Sequence, residues 1–232
     1  TQYSSPVQIP GTWSDASVGS SGVHGIKTDG TLWGWGGSAN GQLGNNNDAN
    51  VSSPIQISYG PGSWSKISGG ELSTFAIGTD GTLWAWGKNH HGQLAQNNRT
   101  ERSVPYQVGT DSTWSEVGSG TYYSSNAIKS DGTMWQWGYN RDGNLGQNNT
   151  TSYSSPVQVP GTTWNHVDGG YQITGATKTD GTLWTWGRNE HGALGQNNLT
   201  DYSSPVQIPG TWKTGKEGLD VGYDIITALL EL

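Results

Sequence analysis

Five histidines are the side chains in this sequence best suited to metal binding or proton transfer. His91 and His191 occupy the same place in a repeated segment, where two further copies carry Asn40 and Asp142. A ring of equivalent polar residues could hold a metal or a polar ligand. However, the sequence contains neither an HExxH segment nor a His-x-His pair. We therefore interpret the position as a polar turn former before a glycine, and we expect neither a metal nor a cofactor.

Four aspartates share one context, Asp-Gly-Thr followed by Leu or Met, and they are Asp29, Asp80, Asp131 and Asp180. Asp-Gly is turn chemistry, because both residue types tolerate the backbone angles that tight turns require. Carboxylate catalysis needs two acids brought together in different environments, whereas repeat-related acids lie apart. The sequence also lacks cysteine and any Gly-x-Ser-x-Gly nucleophile elbow. These absences predict a chain without catalytic residues.

The composition points to a globular protein built from unusual residues. The chain has 232 residues, 37 of them glycine and 13 tryptophan, with a net charge of −7. Low charge with many aromatics argues against intrinsic disorder. Eleven Lys and Arg against eighteen Asp and Glu leave no basic patch for nucleic acid. No apolar stretch approaches the roughly 18–20 residues of a membrane span, so we expect no membrane insertion.

Internal repetition organises the whole chain. The segment Asp-Gly-Thr-(Leu/Met)-Trp-x-Trp-Gly begins at the four aspartates, with spacings of 51, 51 and 49 residues. A Pro-(Val/Ile/Tyr)-Gln-(Ile/Val) segment begins at Pro6, Pro54, Pro105, Pro156 and Pro205. A single tryptophan recurs at Trp13, Trp64, Trp114, Trp164 and Trp212. We read one domain over residues 1–232, with units of about 1–52, 53–103, 104–154 and 155–203 and a partial unit at 204–232.

Each unit is predicted to be a set of short strands. Runs such as 74–77 are broken by Gly, Asn, Asp or Pro every 8–12 residues, without helical periodicity. Asp80-Gly81 between two such runs predicts a hairpin with a two-residue type I′ turn. The indoles of Trp84 and Trp86 must project from the same sheet face, where they would fill the space between sheets. About four strands in about 50 residues predict an all-β fold of β-propeller blades.

The four units DGTLWGWGGSANGQLG, DGTLWAWGKNHHGQLA, DGTMWQWGYNRDGNLG and DGTLWTWGRNEHGALG closely resemble the regulator-of-chromosome-condensation repeat. The resemblance implies a β-propeller, whose members commonly close a ring of about seven blades. The connecting phrase QNNxTxYSSPVQ(I/V)PGT is most similar to the bacterial and bacteriophage versions. The family's eukaryotic activity is guanine nucleotide exchange with chromatin association. We do not expect it here, because the shared motifs build the scaffold and the charge balance is acidic.

Four units and a partial fifth leave the closure of the ring open. The tail Asp220–Leu229 is predicted to supply the first two strands of a fifth blade, with a short helix at 225–232 as the alternative. Pro6–Pro10 matches an outer strand that no preceding unit of this sequence can pair with. One hypothesis is a five-bladed ring in which this segment completes the fifth blade. The other is an open arc whose free strand edges are covered by other subunits.

The units differ most in two sets of loops, which are the candidate binding sites because recognition residues concentrate on loops. One set follows the Trp-x-Trp-Gly strand, and the other joins the first and second strands. The candidate residues are His90, His91, Tyr139, Arg141, Asp142, Arg188, Glu190 and His191 in the first set, and Tyr122, Tyr123 and Tyr171 in the second. Tyr and Arg are enriched at binding hot spots. The alternative is that these loops vary because nothing constrains them.

Three classes of function fit these features. The leading hypothesis is a non-catalytic structural or attachment protein of a bacteriophage particle. It would act in the virion or outside the cell, as part of an assembly or oligomer, and bind other virion subunits, copies of itself, or a host receptor or glycan. The alternative is a bacterial secreted or surface module that binds proteins as an inhibitor does. A third possibility is an engineered consensus propeller, since SSPVQIPGTW recurs almost verbatim.

Overall fold

The computed structural model describes residues 5–118 and 123–231, which form five antiparallel β-sheets. The first sheet comprises β1 (Trp13–Val18), β2 (Gly22–Lys27), β3 (Leu32–Gly36) and β4 (Val51–Gln56). The second comprises β5 (Trp64–Gly69), β6 (Ser73–Gly78), β7 (Leu83–Gly87) and β8 (Arg102–Gln107). The third comprises β9 (Trp114–Gly118), β10 (Ser124–Lys129), β11 (Met134–Gly138) and β12 (Tyr153–Gln158). The fourth comprises β13 (Trp164–Gly169), β14 (Ile173–Lys178), β15 (Leu183–Gly187) and β16 (Tyr202–Ile208).

The fifth sheet is a hairpin of β17 (Leu219–Val221) and β18 (Ile226–Ala228). The predicted all-β fold of four full blades and a partial fifth is therefore confirmed. The predicted pair of strands in the tail is also confirmed, and the helical alternative is wrong. Strands in each full sheet follow chain order, so every blade is a meander. The Pro-x-Gln segments of the second to fifth units form the outer strand of the preceding sheet.

The segment Pro6–Pro10 forms no strand and pairs with no sheet in the described part of the chain. Val7 and Ile9 are 60% and 37% exposed, whereas the matching Ile55 and Ile57 of the second unit are partly buried and buried. A five-bladed ring completed by this segment is therefore not formed, and no closed ring is found among the described residues. Lys216 Nζ, which precedes the fifth sheet, lies 3.7 Å from Asp15 Oδ1 of the first.

The Asp-Gly turns differ from the predicted type I′. Gly81 takes the left-handed conformation at φ 78°, but Asp80 keeps a negative φ, whereas type I′ requires two positive values. The Gly81 N–H donates to Gly78 O at 3.0 Å, which makes a three-residue loop ending in a left-handed glycine. Asp80 Oδ1 accepts hydrogen bonds from Thr82 Oγ1 (2.6 Å) and Thr82 N (3.1 Å). These bonds, led by that of the hydroxyl, lower the pKa of Asp80. The turn role of the four aspartates is confirmed.

In the second, third and fourth sheets, the two indoles of the Trp-x-Trp pair make different hydrogen bonds. Trp84 Nε1 donates to Thr82 Oγ1 at 2.8 Å, so the first indole closes its own turn. Trp86 is completely buried, and its Nε1 donates to the backbone oxygen of Gln42 in the preceding sheet at 2.8 Å. The same inter-sheet bond joins Trp137 to Gln93 and Trp186 to Asn144. The second indole therefore fastens each sheet to the one before it.

Packing around these indoles explains why a single tryptophan and a glycine also recur in the units. The Trp64 ring meets Trp84 and Trp86 edge-on, with centroids 6.0 and 6.1 Å apart. Gly44 lies beneath the Trp86 indole at φ 76°, where a Cβ would come within 2.7 Å of Nε1. A glycine fits both the left-handed backbone and the close approach. The indoles occupy the space between sheets, as predicted.

Candidate binding face

The two variable loop sets lie at the same end of the sheets. Because antiparallel strands reverse direction, the loop after the first strand and the loop after the third emerge together, opposite the Asp-Gly turns. We call this end the binding face. The described candidate residues all fall in its loops. Tyr122 lies outside the described residues.

One aromatic cluster joins the second and third sheets, and we call it the first cluster. The His91 ring lies 4.6 Å from the Tyr123 ring and 4.9 Å from the Tyr139 ring, measured between centroids. Lys88 Nζ lies over Tyr123 at 5.3 Å. Burial, reinforced by nearby cations including Arg99, lowers the pKa of His91. A neutral imidazole packed on two phenols behaves as part of an aromatic surface.

A second cluster joins the fourth and fifth sheets. The Tyr171 and Tyr223 rings stack nearly parallel, with centroids 4.5 Å apart and planes 7° apart. The Tyr171 N–H donates to the Tyr223 backbone oxygen at 2.8 Å, which fixes the register of the two loops. Arg188 Cζ lies 5.2 Å from the Tyr171 ring. Tyr223 is 60% exposed, so the cluster presents an aromatic surface to solvent.

The remaining candidates form an exposed charged border around the clusters. Glu190 accepts from Arg188 and lies 3.2 Å from His191 Nε2, and both of these partners belong to its own loop. His90 Nε2 lies 3.0 Å from Glu101 Oε1. Exposed pairs of this kind contribute little to stability. His191 thus pairs within its own loop while His91 packs on the third sheet, so the two equivalent histidines serve different contacts.

Asp142 and Arg141 belong to the loop of the third sheet that faces the fourth. Burial raises the pKa of Asp142, and the nearby acid Asp201 adds to this effect while Arg141 opposes it. Arg141 itself is exposed. The loop therefore combines a partly buried carboxyl with a solvent-facing guanidinium.

Two cavities lie beside the first strands of the sheets and the loops that follow them. A shallow one of about 310 Å³ is lined by Val18–Ser20, Gly69–Glu71 and Tyr223. A deeper one of about 430 Å³ lies where the first strands of the sheets converge. In the deeper cavity Glu116 accepts from Lys66 at 3.1 Å and lies 3.3 Å from His166 Nδ1.

Glu116 is paired with both Lys66 and His166 in the deeper cavity. Burial acts to raise the pKa of Glu116, but the hydrogen bonds from His166 and Lys66 outweigh it and leave that pKa lowered. In the described ranges, no three His, Asp or Glu side chains converge as a metal site would require. The same residues include no helix that could span a membrane.

Our sequence-based candidates omitted Tyr223 and Lys88, both of which belong to the clusters. A signal for Tyr223 is present, because Gly222-Tyr223 repeats Gly170-Tyr171. Both glycine N–H groups donate to an isoleucine oxygen three residues later, at 2.9 Å in each hairpin.

Known proteins share both the sequence pattern and the fold. The chain is 29% identical to the ultraviolet-B receptor UVR8 of Arabidopsis thaliana over 146 residues, which is 62% of this chain and 33% of that protein. It is 29% identical over 164 residues to the probable E3 ubiquitin-protein ligase HERC4 of Homo sapiens, covering 66% of this chain and 15% of that protein. The chain therefore spans a third or less of these curated relatives.

Two solved structures have the same fold. Human WBSCR16 superposes with a TM-score of 0.84 at 21% identity, covering 98% of this chain and 60% of that one. Prp20p from Saccharomyces cerevisiae superposes with a TM-score of 0.80 at 18% identity, covering 98% and 58%.

The repeat itself matches a defined family profile. The regulator of chromosome condensation (RCC1) repeat matches residues 29–77, 80–125, 131–177 and 180–216. Each of these four segments begins at the aspartate of an Asp-Gly-Thr-(Leu/Met)-Trp-x-Trp motif, and together they include most of the residues. The chain therefore belongs to the regulator of chromosome condensation repeat family.

Proposed function

We propose that this chain is a non-catalytic recognition module that binds a protein partner through the binding face. The observation that carries the proposal is the pair of aromatic clusters, each with a cation over a tyrosine ring, at the end of the sheets where the units differ. Tyr223 is exposed and the other rings of the clusters are partly exposed. Aromatic rings beside Arg or Lys are the residue types that dominate protein interfaces.

The chemistry of the face favours a protein over nucleic acid. The chain carries a net charge of −7, and carboxylates such as Glu101 and Glu190 border the clusters. Phosphate backbones would be repelled by this border. The clusters are also held by inter-sheet contacts, so their tyrosines lose little rotamer freedom on binding.

Within this proposal, the setting that we favour is a bacteriophage particle in which the chain contacts other virion proteins or a host surface. Its support is the near-duplicate Trp- and Asn-rich repeats, which resemble the phage versions of the family, and the Asn-, Gln- and Ser-rich acidic surface. The relatives named above come from plants, yeast and humans, and they do not bear on this setting.

The partner-binding proposal is tested by affinity capture with matched tyrosine variants. We expect wild type to retain a stoichiometric partner from its source, and the double variant Tyr171→Ser with Tyr223→Ser to lose it. The control is Tyr59→Ser, which removes an exposed tyrosine from the opposite end of the sheets. Recovery of no partner, or equal retention by the double variant, contradicts the proposal.

The phage setting has a separate test. Purified particles from the source are separated on a density gradient, and the chain is quantified by mass spectrometry. We expect a constant ratio of this chain to the major capsid protein across the particle peak. A chain found only in the soluble fractions would remove the phage setting and leave the binding proposal standing.

A further inference from the structure

The wall of the deeper cavity is built from equivalent residues of successive first strands. Each stands two residues after the tryptophan that opens its strand, and they are Asp15, Lys66, Glu116 and His166. Asp15 Oδ2 accepts from the Ile67 N–H of the next sheet at 3.0 Å. Lys66, Glu116 and His166 contact one another in the same direction, at 3.1 and 3.3 Å. Contacts between neighbouring sheets therefore hold these side chains in place around the cavity.

His166 has one ring nitrogen engaged and the other open. The residue is only 6% exposed, and its Nδ1 lies 3.3 Å from Glu116 Oε1. Because a carboxylate only accepts hydrogen bonds, Nδ1 carries the proton, and Nε2 of the neutral imidazole is an acceptor. Among the described residues nothing bonds to Nε2, which is not sealed from the cavity. A well-buried residue thus leaves an acceptor available to a ligand.

Ser68 supplies a second open polar group. It is 7% exposed and lines the same cavity. The equivalent Ser17 of the first sheet accepts from the Gly69 N–H at 2.8 Å. The Ser68 hydroxyl has no such partner in the ranges that the structure describes. Since burying a polar group without a hydrogen bond costs free energy, a ligand that bonds to this hydroxyl gains affinity.

The charge of the lining favours a cation. Four carboxylates and two lysines line the cavity, so its net charge is −2 with His166 left aside; they are Asp15, Glu116, Asp168 and Asp220, with Lys66 and Lys216. A negative cleft concentrates cations and repels anions. The apolar part of the lining includes Ile67, Val117 and Val167, against which methylene groups can pack.

We infer that the deeper cavity binds a small aliphatic diamine. Its ammonium groups donate to His166 Nε2 and Ser68 Oγ, and the carboxylates, among them the exposed Asp220, balance the two positive charges. The methylene chain packs on Val117 and Val167. The cavity volume of about 430 Å³ is within the range of small-molecule sites. This site is separate from the binding face and does not depend on a protein partner.

The test is isothermal titration calorimetry of the full chain with 1,4-diaminobutane. We expect saturable binding of one diamine per chain. The controls are 1,4-butanediol, which has the same carbon chain without charge, and succinate, which carries the opposite charge. We expect neither control to bind. Absence of saturable diamine binding, or a diol or succinate that binds as tightly, overturns the inference.

A pair of serine variants locates the site. Ser68→Ala should bind the diamine about tenfold more weakly, the loss expected for one hydrogen bond from a charged donor. The control is Ser115→Ala on the next first strand, where the hydroxyl donates to Ile128 O at 3.2 Å and lies outside the cavity lining. We expect this variant to bind as wild type does, and equal affinities of the two variants contradict the inference.

Nuclear magnetic resonance of the histidine ring nitrogens provides a readout on the wild-type chain, which needs no variant to fold. We expect the diamine to shift the Nε2 resonance of His166. The resonance of His90, which pairs with Glu101 at the surface, should stay in place. A His166 signal that does not move at saturating diamine overturns the inference, even if Ser68→Ala folds poorly.

Discussion

The interfaces between sheets and the loops of the binding face are built from the same repeated units. At the interfaces, equivalent residues make the same contacts in successive units, whereas on the binding face they make different contacts. At the interfaces, Trp86, Trp137 and Trp186 make the same hydrogen bond to the preceding sheet. On the binding face, His91 packs on tyrosines, whereas His191 at the same repeat position pairs with Glu190. Residues that are the same in every unit therefore form the contacts between sheets, and residues that differ between units form the surface available to partners.

The largest effect is expected at the interfaces. Trp137→Ala should reduce the free energy of unfolding by about 4 kcal/mol, because it leaves a cavity and removes the buried indole hydrogen bond to the backbone oxygen of Gln93. Trp35→Ala, at the same motif position in the first sheet, should cost about 2 kcal/mol because Trp35 is only partly buried. Urea denaturation of both variants measures the difference, and equal costs would show that burial between sheets is not what separates them.

A pH-dependent effect is expected at the first interface. His24 is buried edge-on against Trp86, with ring centroids 5.9 Å apart, and burial lowers its pKa from 6.5 to about 4. The folded state therefore binds this proton less readily than the unfolded state. Its contribution to stability is complete above pH 6.5 and declines towards pH 4, by about 3 kcal/mol in total.

His24→Phe should remove this pH dependence, because Phe75 holds the equivalent place in the second sheet. Denaturation curves at pH 7, 5.5 and 4.5 compare the variant with wild type. His90→Phe, at an exposed histidine, serves as the control and should leave the pH dependence unchanged. If the free energy of unfolding of His24→Phe still declines as the pH falls, another titrating group is responsible for the decline.

A smaller effect is expected at the turns opposite the binding face. Asp80→Ala removes two hydrogen bonds to Thr82 and should cost about 1 kcal/mol, since these bonds lie in solvent. Asp48→Ala, at an exposed loop aspartate, is the matched control and should change little. Thermal denaturation followed by circular dichroism measures both variants. Equal melting temperatures would mean that the glycine alone sets the turn.

The smallest effect is expected on the binding face. His191 is 62% exposed, and its pairing with Glu190 is a surface contact. His191→Ala should change the free energy of unfolding by less than about 0.5 kcal/mol. Urea denaturation provides the check against Trp137→Ala. A decrease of more than about 1 kcal/mol in the free energy of unfolding would show that this loop contributes to stability as the interfaces between sheets do.

The sequence predicted those parts of the molecule that depend on repetition. Two indoles at alternate positions required a shared face, and the structure places Trp84 and Trp86 there. The turn type was wrong because the side chain of Asp80 accepts from Thr82, which favours a loop with a negative aspartate φ. The Asp-Gly pair alone therefore does not determine the type of turn.

The contacts between loops could not be predicted from the sequence. The pairing of His91 with Tyr123 joins two sheets, so it depends on how one sheet lies on the next. The partnership of Tyr171 with Tyr223 likewise joins residues from separate repeats. The sequence identifies the residue types of the binding face, but the packing of one sheet on the next determines which of these residues are in contact.

The inter-sheet indole bond also has a direction along the chain. Each acceptor oxygen precedes its donor by 42 or 44 residues, as in the pairs Gln42 with Trp86 and Asn144 with Trp186. During synthesis the acceptor therefore leaves the ribosome first. Each new sheet can dock on a finished surface as it emerges, so the order of translation matches the order of assembly. Folding from the amino terminus would then need no rearrangement of sheets already made.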